Sequence, residues 1–85
     1  MTKNQKLIQK ILSSKADANI KFNDLYNLLI SLGFVVRIKG SHHIFRKEGI
    51  EEKINLQKDN SNAKPYQVKQ VRNLLLNYNF LIKEI

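Results

Sequence analysis

The 85-residue sequence predicts an α+β domain, a three-stranded antiparallel sheet with helices packed on one face. Three observations lead there. Apolar residues recur at helical spacing in three separate segments, and the middle of the chain alternates as strands do. Gly40-Ser41 then supplies a turn of the kind that joins two antiparallel strands. Consecutive, closely spaced strands form a meander, which needs covering on one side only.

Taken in order, Leu7, Ile8, Ile11 and Leu12 mark a first amphipathic helix within a Lys- and Gln-rich stretch. Residues 13–19 are polar and mixed, and read as a loop. Asn23 is the expected N-cap of a second helix, with Asp24 in its first turn, where the helix dipole favours negative charge. Leu25, Leu28, Leu29 and Leu32 give that helix its apolar stripe, and Gly33 closes it as a left-handed cap. Residues 34–39 are rich in β-branched and aromatic side chains and begin the hairpin; residues 42–47 complete it. Glu48-Gly49 turns the chain, and residues 53–56 form a third strand whose core face is Ile54 and Leu56. Residues 58–64 are polar, without periodicity, and read as a loop. Pro65 suits the first position of a last helix, with stripe residues Val68, Val71, Leu74, Leu75 and Tyr78 and with Lys83 near its end.

Composition bounds the function. Hydrophobic residues make up 42% of the chain, with three Gly and one Pro, so the chain reads as folded rather than disordered. Fifteen Lys and Arg against seven Asp and Glu give a formal net charge of +8. That balance favours polyanions: nucleic acid first, then acidic proteins or anionic membrane surfaces. A soluble basic domain with no polyanion partner is the bland alternative. The absence of cysteine rules out disulfides, thiolate metal sites and cysteine nucleophiles, and fits a reducing cytosol. Lys3 and Lys6 are not followed by an apolar run, so the amino terminus does not read as a secretory signal. The longest apolar neighbourhood, residues 28–36, is interrupted by Ser31 and Gly33 and falls short of the roughly 20 residues a membrane span needs. The expectation is one soluble, cytoplasmic domain over residues 1–85, with no membrane partner and no cofactor.

The hairpin carries the chemistry. If Gly40 and Ser41 are the loop, Lys39 faces His42, Ile38 faces His43, Arg37 faces Ile44 and Val36 faces Phe45. Successive strand residues point to opposite sides. Val36, Ile38, His43 and Phe45 then share the core face, while Arg37, Lys39, His42 and Arg46 share the other, with Ile44 as its blemish. A histidine among fixed cations suits an anionic substrate. Histidine transfers protons near neutrality, and cations stabilise the charge of a phosphorane. Gly40 and Ser41 position the turn. The bland reading of His42 is a solvated turn histidine. For His43 the bland reading prevails: an apolar-face residue with one ring nitrogen bonded to backbone. A metal site is disfavoured, because adjacent histidines on a strand point apart and no third ligand is near. Ser41 has no base beside it, so its turn role suffices. Lys58, Lys64, Lys69 and Arg72 carry less weight, Lys69 and Arg72 reading as a solvated helix face. Lys3, Lys6 and Lys10 read as solubilising charge, and Tyr66 and Tyr78 as core or rim packing.

Residues 29–45, LISLGFVVRIKGSHHIF, resemble the HicA (YcfA-like) family of mRNA interferase toxins. The carriers are Gly33-Phe34, Gly40-Ser41-His42 and Phe45, with looser similarity through the third strand to Lys64-Pro65. The resemblance implies a fold similar to double-stranded-RNA-binding domains, α-β-β-β-α, with residues 21–85 as core and residues 1–20 as an N-terminal helical extension. It also implies metal-independent endoribonuclease action on mRNA, with His42 catalytic, and a cognate HicB-type antitoxin that covers the active face. Two other readings compete: a non-catalytic RNA-binding module using Arg37, Lys39 and Arg46 for phosphate, and helix-turn-helix DNA binding by the first two helices. The second is weak, because residues 13–19 exceed the usual turn.

Overall fold

The elements follow the apolar spacing closely. A computed structural model describes residues 2–78; Lys83 lies outside them. Helix α1 spans Lys3–Leu12, α2 Phe22–Ser31 and α3 Pro65–Asn77, while strands β1 (Val35–Lys39), β2 (His42–Arg46) and β3 (Ile54–Leu56) form an antiparallel sheet in the order β1-β2-β3. Helix α2, this three-stranded sheet and α3 make the α-β-β-β-α arrangement of double-stranded-RNA-binding domains, with α1 added in front. Phe45, Ile54 and Leu56 project from one sheet face into a core shared with Leu25, Leu28 and Leu29 of α2 and Val68, Val71 and Leu75 of α3. Leu7, Ile8 and Ile11 of α1 are buried in the same core.

Chain reversals are set by local chemistry. Thr2 caps α1 with a capping box to Gln5. Gly33 (φ 97°) ends α2 with its N–H on Ile30 O, while Phe34 N–H reaches Leu29 O. This pair of bonds is a Schellman motif, which only a left-handed residue completes readily. Lys47 Nζ donates to Leu32 O at 2.9 Å, placing a cation at the negative end of the α2 dipole.

Several expectations need correction. Helix α2 begins at Phe22, its N-cap is Lys21, and no side chain caps it; Asn23 lies inside the first turn. A backbone pairing sets the start instead. Phe22 N–H donates to Ser61 O, Ala63 N–H donates to Ile20 O, and Lys21 bridges Asn62. The expected loop at residues 58–64 is a second hairpin, β4 (Lys58–Asp59) with β5 (Asn62–Ala63), turning through Asn60 at φ 58°. Strands of two residues are too short to show an alternation. Within residues 13–19 the chain makes a short 3₁₀ turn, Asp17–Asn19. Arg72, expected on a solvated face, is 14% exposed at its side chain and grips both oxygens of Asp17 at 3.0 and 3.2 Å, with a further bond to Ile11 O. Such a two-pronged, half-buried pair ties the 3₁₀ turn and the end of α1 to α3. Tyr66 is neither core nor rim but exposed. Tyr78 does pack against the core, and its hydroxyl donates to Glu52.

Candidate functional site

The register of the first hairpin follows from its loop. Gly40 has a φ of 57° and Ser41 does not share the left-handed region, the pattern of a two-residue type II′ connection. That loop pairs Lys39 with His42, Ile38 with His43, Arg37 with Ile44, Val36 with Phe45 and Val35 with Arg46. Directly opposed residues in such a pair have Cβ atoms about 5 Å apart. His42 therefore stands against Lys39, and Arg37, Lys39, His42 and Arg46 occupy the sheet face that no helix covers. All four are exposed. Among the described residues none of Arg37, Lys39 and Arg46 has an ion-pair partner. Unpaired cations gathered on one face raise the local potential and draw in polyanions.

Along the strands, toward the base of the hairpin, lies a shallow basin of about 600 Å³ walled by Val35, Val36, Arg37, Lys39, Ile44, Arg46 and Lys53. It combines four cations with apolar ground at Val35 and Ile44. Lys53 enters from the segment leading into β3. His42 is outside this wall and marks the hairpin end of the same face.

Two side chains that the sequence pattern does not single out support the hairpin. The pairing of β2 with β3 places Asn55 opposite Ile44, on the open face, and its Oδ1 lies 3.2 Å from His42 Nδ1. Gln57 Nε2 donates to Ser41 Oγ at 3.1 Å, and Lys64 Nζ donates to Gln57 Oε1 at 3.4 Å. The turn is thus tied through Gln57 to Lys64, the residue at the N-cap of α3. Alternation in β3 is readable from sequence, but a loop of residues 47–53 does not fix register, so the partners of Asn55 and Gln57 are not.

His43 lies on the other face, as expected. Its ring meets Phe22 edge-on at 4.9 Å between centroids and Tyr26 at 5.9 Å. The expected backbone bond is not there: its Nδ1 is buried and has no hydrogen-bond partner. Ile38 shares that face but is 59% exposed, because the hairpin end projects beyond the helices that cover Phe45. A second basin, of about 630 Å³, lies on this side between Phe22, Tyr26, Ile38, Ser41, His43 and Lys58. It carries aromatic rings and one cation, and none of Arg37, Lys39, His42 or Arg46.

Among the described residues no three His, Cys, Asp or Glu side chains gather as a metal-ligand group, and no helix is long and apolar enough to cross a membrane.

A family model described as the HicA toxin of bacterial toxin–antitoxin systems matches residues 22–76, from the first residue of α2 to the penultimate residue of α3. No curated protein and no solved structure matches the chain. The matched segment holds the sheet, both hairpins and every residue of the basic face. The chain belongs to the HicA family of toxins of bacterial toxin–antitoxin systems.

Proposed function

We propose that this toxin is an endoribonuclease that cleaves mRNA in the cytoplasm, with His42 carrying protons and Arg37, Lys39 and Arg46 holding phosphate. The observation that supports it most is the placement of His42 directly opposite Lys39, on a sheet face whose cations have no acidic partner among the described residues. The imidazole takes the proton of a ribose 2′-hydroxyl. The 2′-oxygen forms its bond to the adjacent phosphorus as the bond to the 5′-oxygen breaks, and the imidazolium so formed is the nearby proton source for that leaving oxygen. Negative charge accumulating on the phosphorane oxygens meets the guanidinium and ammonium groups, whose attraction grows as that charge develops. Positioned proton transfer contributes about 10²–10⁴-fold in rate, and the cations supply binding and charge stabilisation beside it. A cognate HicB-type antitoxin silences the toxin by covering the same basic face.

The reaction leaves a 2′,3′-cyclic phosphate and a 5′-hydroxyl. The test is to compare cleavage of an RNA with cleavage of the same sequence fully 2′-O-methylated, and to identify the product ends. Cleavage of RNA alone, with cyclic phosphate ends, is the expected result. Cleavage of the methylated strand would contradict attack by the 2′-oxygen.

A further inference from the structure

The contact between Asn55 and His42 bears on which ring nitrogen holds the proton. The Asn55 side-chain oxygen that faces the ring lies 3.2 Å from Nδ1. An amide carbonyl oxygen accepts hydrogen bonds and cannot donate, so a hydrogen bond in this orientation requires the hydrogen on Nδ1. In the neutral ring the lone pair is then on Nε2, the nitrogen turned away from Asn55. We propose that Asn55 is a positioning residue for the reaction, holding His42 in the Nδ1–H form so that Nε2 is the atom that takes the proton from the ribose hydroxyl. This rests on the reading of His42 as the proton carrier.

The placement is built by the sheet and not by a flexible loop. The register pairs Ile44 with Asn55 and His43 with Leu56, so Asn55 sits diagonally across from His42 on one face. Leu56 and Ile54 on either side of it are fully buried, which anchors the Asn55 backbone while its side chain stays exposed. Substituting Asn55 therefore leaves the core packing intact. Without its oxygen the ring is free to rotate and to place its hydrogen on either nitrogen, and a share of molecules presents the wrong one. The effect is smaller than where a buried carboxylate orients a catalytic histidine, a part whose loss costs about 10⁴-fold. A single exposed, neutral hydrogen bond corresponds to roughly 5- to 10-fold in rate.

The bland alternative is a surface hydrogen bond that only stiffens the end of the sheet. The two differ in what they do to the imidazole. The experiment records long-range ¹H–¹⁵N correlations of His42 in the labelled, full-length protein at a pH where the ring is neutral, beside cleavage rates of an RNA oligonucleotide. Expected are an Nδ1–H ring in the parent and a mixture of tautomers in Asn55→Ala. The Asn55→Ala cleavage rate should fall roughly 5- to 10-fold with backbone spectra unchanged. Asn55→Asp should keep the Nδ1–H form and shift the pH–rate profile upward, since a carboxylate favours imidazolium. An Nε2–H ring in the parent, or a tautomer unaffected by Asn55→Ala, would overturn the positioning role even if the parent cuts RNA. A parent that shows the Nδ1–H ring and cuts no RNA would overturn the reading of His42 as proton carrier, and the positioning role with it.

Discussion

His42 and His43 are neighbours in the chain and end on opposite sides of the sheet. His42 is exposed with Nδ1 3.2 Å from Asn55, whereas the His43 ring meets the edge of Phe22 at 4.9 Å and its Nδ1 is buried without a partner. Strand alternation alone separates them. One substitution should therefore remove function and leave the fold, whereas the other should mainly lower stability.

His43 contributes to stability. His43→Ala gives up edge-on packing with Phe22 and Tyr26 and should cost about 1–2 kcal/mol. In a domain of this size that is a Tm fall of roughly 4–16 °C. His43→Phe keeps the aromatic packing and removes the unpaired nitrogen, so it should be neutral or raise the Tm. Thermal unfolding by circular dichroism checks both. A His43→Phe variant much less stable than His43→Ala would contradict the packing role.

The basic face makes a prediction about salt. Removing one cation that touches phosphate should lower the slope of log affinity against log salt by about 0.7 on single-stranded RNA. Lys39→Ala, Arg37→Ala and Arg46→Ala should each do this and weaken cleavage in parallel, as read by fluorescence anisotropy across a salt series. An unchanged slope for any one variant would remove that residue from the binding face.

Gly33 tests the end of α2. At φ 97° it completes the Schellman motif, and a Cβ there would come within 2.5 Å of Lys47 Nζ. The lysine end can swing aside, though at the cost of its 2.9 Å bond to Leu32 O. Gly33→Ala should destabilise by about 1 kcal/mol or more, chiefly through the backbone. Urea unfolding measures it, and an unaltered midpoint would show that the cap contributes nothing.

Tyr78 carries a pH signature. Its hydroxyl donates to the Glu52 carboxylate, and that bond, reinforced by burial, raises the phenol above its ordinary range. Because the folded value lies above the unfolded one, the bond supports the fold fully below about pH 10, and that support disappears as pH rises through the folded value. Glu52→Gln should bring the Tyr78 titration down, as followed by ultraviolet absorbance in alkali. An unshifted titration would show that Glu52 is not the cause.

Much of this site is legible in the sequence because a two-residue loop dictates register: once Gly40 and Ser41 are the turn, the partners of His42 and Arg37 follow. The α2 stripe and its Gly33 stop are legible for the same reason, that the cause is local. What escapes is non-local. The start of α2 is set by pairing with residues 61–63 rather than by Asn23, and Arg72 is held by Asp17, 55 positions away in sequence. Asn55 escapes because the register of β3 comes from core packing of Ile54 and Leu56. Ile38 departs from expectation because alternation gives a face, while burial depends on how far the covering helices reach.

Strand cleavage tests the proposed role of His42 most directly. Purified protein should be incubated with a long single-stranded RNA in EDTA, beside His42→Ala, and the products separated on a denaturing gel. Fragments from the parent and intact RNA from the variant are expected, with both proteins folded and binding RNA equally. Equal cleavage by both, or none by either while both bind, would contradict that role.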